Sequence, residues 1–169
     1  IQGTAYLEAG EYIIDGGTFD VTSTAHVTTD EVDGVTIFLT GSGGDYATLT
    51  AAAADLNSKV ISGPVVFLLT DGAYPSETFP IVFSANPGSS AVHTVIVRPI
   101  PGGVPTISGS SPVTLVDLDG CRYVTIDGFN GAEGEGDLTL RNTSTTGATV
   151  RFINDASNNM VTNTIIEGA

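Results

Sequence analysis

Eight of the 19 acidic residues in this chain sit in three stretches punctuated by glycine. Asp30, Glu31 and Asp33 lie in DEVDG, Asp117 and Asp119 in DLDG, and Glu133, Glu135 and Asp137 in EGEGD. Calcium takes roughly six to eight oxygen ligands, and a glycine-rich acidic loop can supply several of them. The first choice for one such site is Glu133, Glu135 and Asp137. The competing reading of each loop is a solvated acidic turn. DLDG fails the spacing of a helix-loop-helix calcium loop, because Leu115 falls at its first ligand position and Ile126 at its twelfth. A glycine-aspartate nonapeptide repeat is absent as well.

Catalytic constellations are harder to assemble. Arg98, Arg122, Arg141 and Arg151 could supply the base of an elimination reaction, but a lyase also needs carboxylates caging a cation beside that base. Without the cage, these arginines read as outward strand positions or partners of nearby aspartates. His26 and His93 stand apart from any paired acids, and no serine sits in a G-x-S-x-G elbow. Cys121 is the only cysteine, which excludes an intrachain disulfide and a cysteine metal site, and DGCRYVTIDG marks it as a small buried residue. Alternating threonine pairs (22/24, 48/50, 162/164) are too few for a ranked array facing ice or a crystalline glycan. The expectation is a protein without a catalytic site.

Charge narrows the partners. The 169 residues carry 19 acidic and 5 basic side chains, a formal net charge of −14. Nucleic acid needs a Lys/Arg footprint for its phosphates, so it is excluded as a partner. Anionic membrane surfaces and polyanionic polysaccharides are disfavoured unless cations bridge. No apolar run is long enough to cross a bilayer. Acidic, Thr/Ser/Gly-rich and nearly lysine-free composition suits an extracellular or cell-surface setting. Ile1 stands where an initiator methionine would, so the chain is expected to be a mature or excised segment, and a missing signal peptide says nothing about export.

The elements that would position these residues are mostly strands. Gly is 21 residues, and short runs rich in Val, Ile, Thr and Phe are bounded by Gly, Pro, Asn and Ser. One helix is predicted near 48–58: Thr48 can cap it, and Leu49, Ala52, Ala53 and Leu56 share a face. Residues 1–42 read as a strand-rich segment with apolar clusters at 12–14, 19–21 and 35–39. Gly41–Gly44 is either a joint between that segment and a second unit at 45–169 or a turn inside one continuous stack. Beyond residue 63 strands recur: 95–98, 106–108, 113–117, 123–127, 138–141, 149–153 and 164–167. Thr125-Ile126-Asp127-Gly128 and Ile165-Ile166-Glu167-Gly168 form a weak repeat, with strands between them that suggest three strands per turn of a β-solenoid. Asn154-Asp155 and Asn158-Asn159 read as its corners.

These stretches carry a resemblance. DYATLTAAAADLNS, GPVVFLLTDGAYPSETFPI, VIVRP, PTISGS and YVTIDGF, in that order, are similar to the amino-terminal part of pectate-lyase-like, right-handed parallel β-helix proteins, and look closest to repeats of large secreted bacterial surface proteins. The likeness covers residues 45–169. It implies an all-β, right-handed parallel β-helix whose open end is capped by the short helix. Gly72-Ala73-Tyr74-Pro75-Ser76-Glu77 approximates a G-x-Y-x-E stretch of that superfamily's esterase branch with one extra residue, but the segments that carry chemistry there have no counterpart here. Residues 1–42 loosely resemble a segment of exported, pilus-associated surface proteins.

The reading that follows is an extracellular structural or adhesive module. It is expected to present rows of outward side chains and to self-assemble end to end, with residues 1–42 complementing or capping the coil. Its partners would be other copies of itself and surface glycans. No cofactor is expected beyond a possible calcium ion. The alternative is a carbohydrate-binding or carbohydrate-active β-helix whose site lies outside this segment.

Overall fold

The computed structural model describes residues 35–131 and 136–169. After Val35 the chain forms β1 (Thr36–Thr40), α1 (Leu49–Asn57), β2 (Val65–Leu69), β3 (Ile81–Ser84), β4 (Val95–Pro99), β5 (Thr106–Gly109) and β6 (Thr114–Asp119). There follow β7 (Val124–Asp127), β8 (Leu138–Asn142), β9 (Ala148–Ile153), β10 (Met160–Thr162) and β11 (Thr164–Glu167). All pairings between these strands are parallel. They make one five-stranded sheet, β1-β2-β4-β7-β10, and two three-stranded sheets, β5-β8-β11 and β3-β6-β9. From β4 onward the chain visits the three sheets in rotation, so each full coil adds one strand to each stack, while the first two strands of the five-stranded sheet are joined through α1. The result is an all-β solenoid of about four turns with one short helix.

Side-chain alternation turns this rotation into ladders. Strand residues point alternately to the two faces of a sheet, and the parallel register brings like positions together down the coil. Phe38, Phe67, Val97, Ile126 and Val161 line up on the inner face of the five-stranded sheet. Ile81, Val116 and Val150, then Phe83, Leu118 and Phe152, do so in the second stack, and Ile107, Leu140 and Ile166 in the third. Phe67, Phe83, Ile107, Leu118 and Leu140 are at most 1% exposed. Burying each such side chain contributes about 1.5–3 kcal/mol.

The helix forms where the sequence places it. Thr48 is the N-cap, its side chain accepting from the Ala51 N–H at 3.1 Å, and the buried residues are Leu49, Ala52, Ala53 and Leu56. α1 packs chiefly on β3, the edge strand of its stack. Asn57 completes the contact: its Nδ2 donates to Val82 O at 2.7 Å, and its Oδ1 accepts from Ser84 N at 2.9 Å. The side-chain amide thus satisfies β3 backbone groups that a further strand would have paired, which is how the helix closes an exposed edge. Gly41–Gly44 forms the turn after β1, which is itself the first strand of the five-stranded sheet. Residues 1–34, which hold the earlier apolar clusters at 12–14 and 19–21, lie outside the described residues.

Two details differ from the sequence expectation. β10 was not foreseen, because MVT is only three residues long and is bracketed by asparagines. Its presence puts Thr125–Asp127 and Ile165–Glu167 on different sheets, so the apolar-apolar-acid-Gly similarity does not mark equivalent coil positions. The true repeat is read from the ladder at 38, 67, 97, 126 and 161, whose spacing varies because loops of different length fill the corners. Those corners are left-handed where asparagine or aspartate was expected: Asn154, Asp155 and Asn158 have φ of 53, 61 and 56°. Asn163, φ 50°, makes the bend between β10 and β11.

Candidate functional site

The acidic and basic residues singled out above fall on separate elements. Asp117 lies on the outer face of β6 and is 4% exposed. Its Oδ1 and Oδ2 accept from Arg151 Nε and Nη2, each at 2.7 Å, and the two residues are register neighbours on adjacent strands. Asp119 accepts from the Asn154 amide at 2.6 Å, across the corner that Gly120 (φ 64°) turns. DLDG is therefore a strand end and a corner whose carboxylates are used by the next coil. Glu133 and Glu135 lie outside the described residues, as do Asp30, Glu31, Asp33 and His26. Asp137 is half-buried, and its Oδ2 is enclosed without a hydrogen-bond partner. Among the described residues no three His, Cys, Asp or Glu side chains come close enough to hold a metal ion.

The arginines do not share a face. Arg98 belongs to the five-stranded sheet, Arg141 to β8 and Arg151 to β9. Arg141 pairs with Glu167, its register neighbour on β11, and Arg151 with Asp117. Each partner carboxylate holds the guanidinium pKa above its ordinary value through a side-chain hydrogen bond. Thr162 and Thr164 end up on different strands either side of the Asn163 bend, which separates that candidate pair, and Thr22 and Thr24 lie outside the described residues. His93 is half-buried in the turn before β4, with Nδ1 3.3 Å from Gly88 O. Cys121 is 1% exposed, and burial pushes its thiol up to about 11.

GAYPSE acquires a structural role. Glu77 reaches across to the first turn of α1, where its carboxylate accepts from Leu49 N at 2.6 Å, Thr50 N at 2.9 Å and Thr50 Oγ1 at 2.5 Å. Helix N-termini leave N–H groups without intrahelical partners and favour negative charge, so Glu77 fastens the helix to the coil. Tyr74 adds a second fastening, donating its hydroxyl hydrogen to Thr40 O at 2.6 Å.

Two regions stand out as open among the described residues. At one end of the coil, Phe152, Val161 and Ile166 occupy the inward ladder positions that deeper coils bury, yet Phe152 is 51% and Ile166 52% exposed. Met160 beside them is 52% exposed. The outer edges of β9, β10 and β11 have no strand partner among the described residues. At the other end a cleft of about 160 Å³ opens between α1 and β1, lined by Phe38, Tyr46, Asp55, Lys59, Val60 and Ser62 among others. The sequence signals for the cleft were the Asp55/Lys59 pair at i,i+4 and the aromatic at 46.

No protein-family model, curated protein or solved structure matches this chain. No helix among the described residues is long and apolar enough to cross a membrane.

Proposed function

We propose that the protein is an extracellular structural or adhesive surface module of bacterial type that stacks end to end on further copies of itself. The observation that carries this reading is the exposed apolar rung of Phe152, Val161 and Ile166, which no further rung covers among the described residues. An apolar coil end with unpaired strand edges is a template for more chain. β1 and β10 are the two edge strands of one parallel sheet. A simple translation along the coil therefore sets the Ile37 end of β1 of one copy against β10 of the next with the same polarity, the outward N–H and C=O of Leu39 being taken already by Asp45 and Tyr46. A head-to-tail contact of that kind does not close on itself and generates a filament. The acidic, lysine-poor composition supports the location. The module acts by holding outward side chains in rows, with no reaction assigned to it.

Sedimentation velocity over a wide concentration range tests this. Species larger than the monomer are expected for the native chain, collapsing to monomer in a Phe152→Asp/Ile166→Asp variant with an unchanged circular dichroism spectrum. A native chain that stays monomeric at every concentration would sink the reading.

A further inference from the structure

We propose that the cleft between α1 and β1 binds a single neutral hexose ring of a glycan, stacked on Phe38 and held by Asp55 and Lys59. This goes beyond the assembly reading, which names no small-molecule site.

The platform comes from the ladder geometry. Phe38 stacks on Phe67 with ring centroids 5.7 Å apart and planes 22° apart, and it ends the ladder because β1 is the edge strand. One face of its ring is spent on Phe67, and the other has no ladder partner among the described residues. Tyr46 is steeply inclined to both rings, by 67° to Phe38 and 71° to Phe67 with centroids 5.4 and 6.1 Å away, and also lines the cleft. Val60, 68% exposed, contributes an apolar lip. An aromatic face with apolar edges suits the flat C–H face of a pyranose.

The polar groups converge on the same space. Asp55 Oδ2 accepts from the Tyr46 hydroxyl at 2.5 Å and from Lys59 Nζ at 2.6 Å. These bonds fix the carboxylate while leaving its second oxygen as an acceptor and two ammonium hydrogens as donors. The Lys59 and Tyr46 hydrogen bonds lower the Asp55 pKa, so the carboxylate stays ionised. Burial and the Asp55 hydrogen bond push Tyr46 up to about 12, which keeps its hydroxyl a donor. Thr36 and Ser62 also line the cleft. Paired donors and acceptors spread round an aromatic face are what a polyol requires.

Charge and size select the ligand class. The Asp55–Lys59 pair leaves the cleft locally neutral, and the chain as a whole is strongly acidic, so a uronate is disfavoured. The volume of about 160 Å³ is below the roughly 300–1,000 Å³ of pockets for drug-sized ligands. The cleft accordingly takes one ring, with the rest of a glycan leaving through the open mouth.

Saturation-transfer NMR with glucose, galactose and mannose, and with galacturonate as the charged control, tests the site. Because a stacked copy would cover this end of the coil, the titration uses the Phe152→Asp/Ile166→Asp chain beside the native one. That choice separates a failure of the glycan site from a failure of assembly. Transfer to ring protons of at least one neutral hexose is expected, with little to galacturonate. Asp55→Asn should weaken binding about tenfold, and Phe38→Leu, which keeps the apolar volume, should abolish it while the circular dichroism spectrum is retained. No transfer to any neutral hexose, or equal transfer in the native chain and both variants, overturns the proposal.

Discussion

A carboxylate buried at a helix start is costly unless protein donors replace its water, and Glu77 meets that condition with three hydrogen bonds at 9% exposure. Glu77→Ala would leave the first-turn N–H groups of α1 unsatisfied, so a loss on the order of 3 kcal/mol is expected in urea unfolding, with Glu77→Gln recovering part of it. Asn142, fully buried, is the same logic at a corner. Its amide accepts from Ser111 N at 3.0 Å and donates to Ser111 O at 2.9 Å and Ala148 O at 2.7 Å. Neither role was legible in the sequence, because both depend on contacts 27–31 residues away. Cys121 was legible from its neighbours alone. With its thiol pushed up to about 11 by burial, it should not react with a disulfide reagent at pH 8 until the chain unfolds. Reaction of the folded protein at the unfolded rate would contradict this.

At the scale of the element, α1 carries the clearest pH dependence. Tyr46 has a folded pKa of about 12 against 10.0 unperturbed, so its contribution is complete below pH 10 and is lost as pH rises through 12. Asp55 has the opposite sign. Its pKa is lowered by Lys59 and Tyr46, so its contribution holds above the ordinary carboxylate range and disappears in acid. Thermal unfolding of the native chain and of Tyr46→Phe from pH 7 to 12 checks the alkaline branch. The stability gap between them should be widest at pH 7 and shrink above pH 10; a gap independent of pH would rule out the Tyr46–Asp55 bond. The helix itself was readable from Thr48 and its apolar face. What it covers was not, since the amide of Asn57 meets β3 only after the coil brings them together.

Over the whole molecule, the dominant electrostatic fact is self-repulsion. Lys59, Arg141 and Arg151 are committed to ion pairs with Asp55, Glu167 and Asp117, against 19 acids in the chain. Screening shortens the reach of the remaining charges to about 10 Å at 0.1 M salt. The unfolding midpoint should therefore rise between low and high sodium chloride, as differential scanning calorimetry would measure. A midpoint that fell with salt would mean that the ion pairs outweigh the repulsion.

The sequence by itself carried the class of structure, because strand alternation, a capped amphipathic helix and asparagine-rich corners are all local signals. It marked Leu49, Ala52, Ala53 and Leu56 as buried, and Asn154, Asp155 and Asn158 as corners, before any long-range contact was known. The coil register was decided only in three dimensions. A three-residue strand such as β10 exists because β7 already presents an edge, and Gly128 is required because a Cβ there would lie 1.6 Å from Asn163 O of the next coil. The cleft beside Phe38 belongs to the same category. It is a product of which rung lies next to which, and in a parallel solenoid that adjacency joins residues about 30 positions apart in the chain.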